Sequence, residues 1–173
     1  RIIEDLLLLA RADAHAIQLQ LQMHDPAPFL QSFEQDAAVL AEHHGLLFTA
    51  SHHGSGMVRM DVKWMRQVLL NLLTNAIHVS PPGGRVVLHS SMDDGDWVLS
   101  LVDQGPGLPA EQLERMFERF FRHHSTEQRY SGSGLGLAIS RSVVELHGGQ
   151  ISAENVSTGS GLRVLVRLHA ASP

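Results

Sequence analysis

Apolar positions change their period several times along this chain, and each change predicts an element. Ile2, Ile3, Leu6, Leu7, Leu9 and Ala10 recur at helical spacing beside Glu4, Asp5 and Arg11, so the chain opens on an amphipathic helix whose wide apolar stripe wants a partner. From Ile17 to Met23 apolar residues alternate with Gln18, Gln20 and Gln22, the two-residue period of a half-buried strand. Asp25-Pro26 opens a helix with Phe29, Leu30, Phe33, Ala37, Leu40 and Ala41 on its apolar face to about His44, and Gly45 is its stop. Leu46 to Ala50 and Met57 to Met60 read as short strands around a His/Gly/Ser turn. Asp61 is placed as the N-cap of a mostly buried helix running from Val62 to Val79, ended by Ser80-Pro81-Pro82-Gly83-Gly84. Arg85 to Ser90 and Trp97 to Val102 predict a hairpin across Asp93-Asp94-Gly95-Asp96. A short helix near Pro109 to Met116 follows, then a polar stretch from His123 to Gly132 without usable period, read as a mobile loop. Leu135 to His147 forms a helix with Leu135, Ile139, Val143 and Leu146 on one face, and Gln150 to Asn155 with Leu162 to Leu168 closes a second hairpin. The sum is helices layered on one face of a largely antiparallel sheet.

Composition narrows the class. At 173 residues and 43% hydrophobic, the chain is one domain with an overhang and needs no covalent staple. Zero Cys removes disulfides, thiolate metal sites and thiol nucleophiles, and agrees with a reducing compartment. Lys and Arg number 13 against 18 Asp and Glu, a net charge of −5, so no global field for nucleic acid or an anionic membrane surface is present. Any anionic ligand must be met locally. The apolar run Ile2 to Ala10 contains Glu4 and Asp5 and falls well short of the ~20 residues a membrane helix needs. Arg1, not Met, starts the chain in mid-helix pattern, which reads as the cut end of something longer.

Two anomalies carry candidate chemistry. Asn71, Asn75 and His78 are spaced i, i+4, i+7 in an otherwise Leu, Val and Ile helix, giving it a polar seam with Gln67 one turn earlier. Buried amides are costly unless bonded, so they face a cavity, a metal or an internal network; a satisfied Asn pair capping a neighbouring strand is the plainer account. Glycines supply the second anomaly: Asp103-Gln104-Gly105-Pro106-Gly107 after a strand, and Gly132-Ser133-Gly134-Leu135-Gly136-Leu137 before a helix. Such segments let backbone approach a ligand, and free amides at a helix start suit a phosphate, although either segment alone also fits an ordinary turn. A dinucleotide fingerprint fails at Leu137, and no Gly-Lys-Ser/Thr of a Walker loop is present.

Asn71 with Asn75-Ala76, Asp103 to Gly107, Phe117-Glu118-Arg119-Phe120-Phe121-Arg122 and Gly132 to Leu137 occur in that order, followed by His147-Gly148-Gly149 and Gly159-Ser160-Gly161. Over residues 18 to 169 this resembles the catalytic and ATP-binding domain of a two-component sensor histidine kinase, in the gyrase, Hsp90, kinase and MutL ATPase superfamily. The resemblance implies an α/β (α+β) two-layer sandwich of the Bergerat type, a mixed, largely antiparallel sheet with about three helices on one face. Residues 1–17 resemble the end of the dimerisation and phosphoacceptor helix, residues 18–173 the catalytic domain, and residues 108–133 its lid. By position, Asn75 would coordinate Mg²⁺ between the phosphates of ATP with Asn71 beside it, and Asp103 would accept the adenine amino proton. Gly105, Gly107 and Leu108 would turn against the base, His78 would stand near the phosphates, and Gly132, Ser133, Gly134, Leu135, Gly136 and Leu137 would form the phosphate-facing helix start. Phe117 and Phe121 would anchor the lid and Arg119 or Arg122 reach the phosphates; surface charge for the arginines and core packing for the Phe cluster are the alternatives.

The implied partners are the chain's own dimerisation and phosphoacceptor domain, a second copy of the full-length protein and a cognate response regulator. The implied setting is a cytoplasmic domain, without membrane or nucleic-acid contact of its own, of a protein in the bacterial inner membrane. His78 stands where the family often has Lys, and Leu162 where it usually has Thr. Related ATPases that hydrolyse alone carry Glu where Asn71 stands, and an amide cannot serve as that base. None of the 12 His has a phosphoacceptor context, so the piece is expected to bind ATP without modifying itself. The pairs His43-His44, His52-His53 and His123-His124 read as surface residues, not a zinc site. A serine kinase of the anti-sigma type with the same fold and a nucleotide-sensing or docking module are the remaining alternatives.

Overall fold

The two sequence periods meet at Asp61, where an extended segment becomes an 18-residue helix with seven buried residues. In a computed structural model describing residues 1–122 and 133–170, the order is α1 (Ile2–Asp13), β1 (Gln22–His24), α2 (Pro26–His43), β2 (Leu47–His53), β3 (Val58–Met60), α3 (Val62–Val79), β4 (Arg85–Asp93), β5 (Asp96–Val102), α4 (Gly136–Leu146), β6 (Gln150–Asn155) and β7 (Leu162–His169). Five strands form one sheet in the order β2-β4-β5-β7-β6, parallel between β2 and β4 and antiparallel elsewhere. β1 and β3 form a separate antiparallel pair.

Strand alternation sorts the sheet into a covered and an open face. Val86 and Leu88 of β4, Trp97, Leu99 and Leu101 of β5 and Leu162, Val164, Val166 and Leu168 of β7 are all buried, while the residues between them stay partly exposed. Onto the buried face pack α2 (Phe29, Leu30, Phe33), α3 (Met65, Leu69, Leu72, Leu73) and α4 (Ala138, Ile139, Val143). The two-layer sandwich with three covering helices is the fold expected. Helix starts follow their caps: the Asp25 carboxylate accepts from Ala27 N at 3.0 Å, and that of Asp61 from Trp64 N at 3.3 Å. The β4–β5 turn places Asp94 (φ +48°) and Gly95 (φ +82°) in left-handed conformation, as a two-residue hairpin requires.

Three segments depart from expectation. The alternation after Ile17 is real, with Ile17 buried and Gln18 and Gln20 exposed, but only Gln22–His24 forms a ladder; the Gln20 N–H goes instead to the Asp61 carboxylate at 2.8 Å. β2 and β3 do not pair around their turn, because β2 joins β4 and β3 joins β1. The helix expected over 109–116 is two 3-10 turns, Ala110–Gln112 and Arg115–Phe117. A 3-10 turn advances about 2.0 Å per residue against about 1.5 Å for an α-helix, which suits a segment stretched between Leu108, held by Asn155, and the buried Met116 and Phe117. The loop read over 123–132, with Gly132, lies outside the described residues.

α1 finds its partner in α4, burying Leu9, while Ile2, Ile3, Leu6 and Leu7 remain exposed. Its carboxylates also bond outward: Asp5 accepts from Ser133 Oγ at 3.1 Å, and Asp13 pairs with Arg119. Among the described residues no helix is long and apolar enough to cross a membrane.

Trp97 is 2% exposed and meets Phe29 edge-on with ring centroids 6.4 Å apart, tying α2 to the middle of the sheet. Trp97→Ala is expected to lower unfolding free energy by about 3–5 kcal/mol, read from denaturant midpoints.

Candidate functional site

A cleft of about 910 Å³, part of it open to solvent, lies between the C-terminal half of α3 and the chain leaving β5. Its helical wall carries Asn75, His78 and Val79; the sheet side brings Asp103, Pro106, Gly107, Leu108 and Leu162; Met116, Phe121, Arg122, Gly134 and Leu137 close it. Ten of the residues singled out in the sequence therefore converge on one space.

Asp103 is the most constrained of them. It is 4% exposed, and its Oδ1 accepts from Gly105 N at 2.9 Å and from Leu162 N at 3.1 Å. Among the described residues Oδ2 receives no hydrogen bond. Burial pushes the carboxyl pKa up, and the two amide hydrogen bonds pull it partly back. The turns around it are closed by sterics. At Gly161 (φ +138°) a Cβ would collide with the Asp103 carbonyl oxygen, and at Gly107 (φ +71°) it would lie 2.5 Å from Asn155 Oδ1. Asn155 in turn clamps Leu108 from both sides, accepting from its N–H at 2.9 Å and donating to its carbonyl at 2.7 Å. Ser160 Oγ donates to the Gly105 carbonyl.

On α3 the polar seam divides into two functions. Asn71 is fully engaged: Nδ2 donates to Gly136 O at 3.0 Å and Ser140 Oγ at 3.3 Å, and Oδ1 accepts from Gln67 Nε2 at 2.9 Å. It fastens α3 to the start of α4. Asn75, one turn on, lines the cleft and has no side-chain hydrogen bond among the described residues. His78 also lines the cleft, its pKa lowered by burial and secondarily by His44, so the ring is neutral at pH 7.

The remaining candidates separate by depth. Gly134 and Leu137 line the cleft; Ser133, Leu135 and Gly136 stand behind them, with Leu135 fully buried and its N–H bonded to Ser133 Oγ at 3.3 Å. Gly105 backs onto Val79. Phe117 is a core residue under the Arg141 guanidinium, whereas Phe121 reaches the cleft. Arg122 lines the cleft; Arg119 is paired with Asp13 and faces an adjoining hollow with Arg115. Sequence reasoning missed Val79, Pro106 and Met116 as lining residues, and Asn155 as the clamp. Only the position of Asn155 just before the last glycine turn hinted at its role.

Histidine pairs have other partners: His52 bonds Ser90 Oγ at 2.6 Å and pairs with Glu34, and His53 meets His89 with ring centroids 5.1 Å apart. Among the described residues no three His, Asp or Glu side chains gather as a metal site.

Residues 60–172 match the family described as histidine kinase-, DNA gyrase B- and HSP90-like ATPase. The chain belongs to that family. It is 37% identical over 95% of its length to the sensor protein SphS of Synechococcus elongatus, of which it spans 42%. Among solved structures it resembles full-length ShkA in complex with AMPPNP (TM-score 0.83, 27% identity, 99% of this chain and 36% of that one). It also resembles the mycobacterial sensor histidine kinase MprB (TM-score 0.77, 29% identity, 88% of this chain and all of that one).

Because the folded-state pKa of Asp103 lies above its unfolded value of 3.8, the native state binds that proton more tightly. Its contribution to stability is therefore complete below pH 3.8 and is lost as pH rises through the folded value. Asp103→Asn keeps an Oδ1 acceptor for both amides and is expected to unfold within about 1 kcal/mol of wild type at pH 7. The acid-side gain should vanish from its pH–stability curve.

Proposed function

We propose that this chain is the ATP-binding catalytic unit of a sensor histidine kinase, and that Mg·ATP occupies the cleft between α3 and the Asp103–Leu108 segment. The observation that carries this reading is the pair of unspent polar groups on opposite walls, Asp103 Oδ2 and the Asn75 side-chain amide, neither with a hydrogen-bond partner among the described residues. A buried acceptor beside a backbone turn suits an exocyclic amine of a base, with Leu108, Met116 and Leu162 giving the base an apolar bed. Gly134 and Leu137, which line the cleft, flank the α4 start at Gly136, whose amides and dipole suit phosphate oxygens.

The donor chemistry fits the metal as well. Mg²⁺ takes oxygen ligands, keeps waters and is shared with substrate phosphates, so a single protein amide oxygen, Asn75 Oδ1, is sufficient anchorage. When bound, the ion would neutralise charge between the phosphates. Arg122 would add a cation from the far wall, and Asn71 would act indirectly by holding Gly136 in place. The proposed step is attack of an imidazole nitrogen on the γ-phosphorus, with cleavage of its bond to the bridging oxygen, departure of ADP and loss of the imidazole proton to solvent. Positioning and electrostatics supply the acceleration.

Residues 1–17 are proposed as the end of the dimerisation and phosphoacceptor helix and 18–173 as the catalytic domain. The acceptor His lies on that dimerisation domain in a homodimeric parent, and a response-regulator Asp receives the phosphoryl next. A cytoplasmic position beneath a bacterial inner membrane is part of the same proposal.

Calorimetry should show ATP binding by the wild-type chain and a roughly 10- to 100-fold loss for Asp103→Asn; equal affinities would reject the base-reading role. Asn75→Ala should reduce Mg-dependent transfer from labelled ATP to an added phosphoacceptor domain by on the order of 10²-fold, with the label acid-labile and base-stable. Acid-stable label would instead mark a serine kinase, and unimpaired transfer by the variant would remove the metal assignment.

A further inference from the structure

His147 closes α4, and its ring sits between two backbone groups that dictate its chemistry. Nδ1 lies 2.8 Å from the Val143 carbonyl, which can only accept; Nε2 lies 3.1 Å from the Asp61 amide, which can only donate. The proton is therefore on Nδ1, and Nε2 is a bare acceptor. Asp61 is itself a junction. Its Oδ2 accepts from Gln20 N at 2.8 Å, its Oδ1 from Trp64 N at 3.3 Å, and it is 8% exposed. One imidazole and one carboxylate thus join the last turn of α4, the first turn of α3 and the segment following α1.

This joint has a counterpart. At the opposite end of the same helix pair, Asn71 bonds Gly136 O and Ser140 Oγ. Between the two ties the α3–α4 contact is apolar, which resists separation but tolerates sliding. Directional hydrogen bonds at both ends supply what apolar packing lacks, a fixed offset along the axes. That offset sets where Gly134 and Leu137, ahead of and within α4, stand against Asn75 on α3.

We propose that His147 is a positioning residue for the nucleotide cleft, acting as a neutral Nδ1–H imidazole that fixes the register of α4 against α3, so that nucleotide affinity depends on the protonation of a ring outside the cleft. The affinity half of this rests on the nucleotide reading above. Protonation would place an N–H on Nε2 against the Asp61 N–H, two donors face to face. Among the described residues, the charged group acting on the ring is the Asp61 carboxylate at the start of α3, which favours the cation; α4 presents the Val143 carbonyl, and Gln20 offers an amide to Asp61, not to the ring. Burial is the larger influence and holds the His147 pKa below the ordinary 6.5. The native state thus binds this proton less tightly than the unfolded chain, and stability is lost as pH falls from the unfolded value through the folded one.

The decisive experiment uses this chain, Mg·ATP and two variants between pH 8 and pH 5.5. His147→Gln offers a non-titrating oxygen acceptor, and His147→Ala offers none. At pH 8 the Gln variant should bind within about twofold of wild type and the Ala variant roughly five- to tenfold more weakly. As pH falls through the folded pKa of the ring the wild type should lose progressively more affinity than the Gln variant; His78 and Asp103 are present in both proteins and cancel from that ratio. Parallel pH profiles, or wild-type affinity in a folded Ala variant, would overturn the coupling. Nitrogen NMR of the ring in the same samples decides the joint itself, the Nδ1–H tautomer supporting it and the Nε2–H tautomer overturning it. A wild-type chain that fails to bind ATP while showing the Nδ1–H tautomer refutes the nucleotide reading and the affinity half, and leaves the joint established.

Discussion

A carboxylate kept almost out of water by two backbone amides is the constraint on which the cleft depends. Ionised Asp103 is tolerable where it stands only because Gly105 N and Leu162 N both reach Oδ1, and those amides are available only if the chain turns tightly on each side. Gly161 must pass against the Asp103 carbonyl, and Gly105 must back onto Val79. Asn155 and Ser160 then fasten the same turns to the end of the β6–β7 hairpin. The sheet therefore supplies the pocket floor, and the pocket floor explains the glycines. A side chain at either glycine would misplace the amides and leave a buried charge exposed to its full desolvation cost.

The opposite wall solves a different problem. Helix α3 has to fill the centre of the core with Met65, Leu69, Leu72 and Leu73 while presenting amides on one seam. It does so by giving each polar position a separate duty: Asn71 is consumed in holding α4, and Asn75 is left for the cleft. A seam of two equally free amides would be both unstable and imprecise, since neither would be fixed relative to the glycine segment. Satisfying the first makes the second usable. The plain reading of a bonded Asn holds for Asn71, while Asn75 on the same stripe lines the cleft, as the ligand role proposed for it requires.

Much of this was legible in the residues because it is local. The Asp25 and Asp61 caps, the Asp94-Gly95 turn, the helical stripes and the ordered glycine motifs all announce themselves within a few positions. What escaped is long-range. The parallel pairing of β2 with β4 leaves no trace in either strand's period, and residues 17–21 alternate as a strand does while lacking a neighbour to pair with. Asn155 and His147 act on partners 47 and 86 positions away, and no pattern near them encodes those partners. The apolar lining of Val79 and Met116 is indistinguishable from core until the cleft exists.

A net charge of −5 would repel a polyphosphate if affinity were left to the global field. In the proposed reading attraction is short-ranged, from Arg122, which lines the cleft, from the amides opening α4 and from the divalent ion proposed above. His78 adds no charge at neutral pH, because burial and His44 keep it neutral, so it contributes a hydrogen-bonding ring where a Lys would contribute a fixed cation. Under the proposed reading, acidification would charge His78 and favour phosphate, but it would also protonate Asp103, whose pKa burial has raised, and silence the acceptor proposed for the base. The two ends of the cleft thus respond to pH in opposite senses. Burial is the larger cause of both shifts, lowering the pKa of a base on one wall and raising that of an acid on the other.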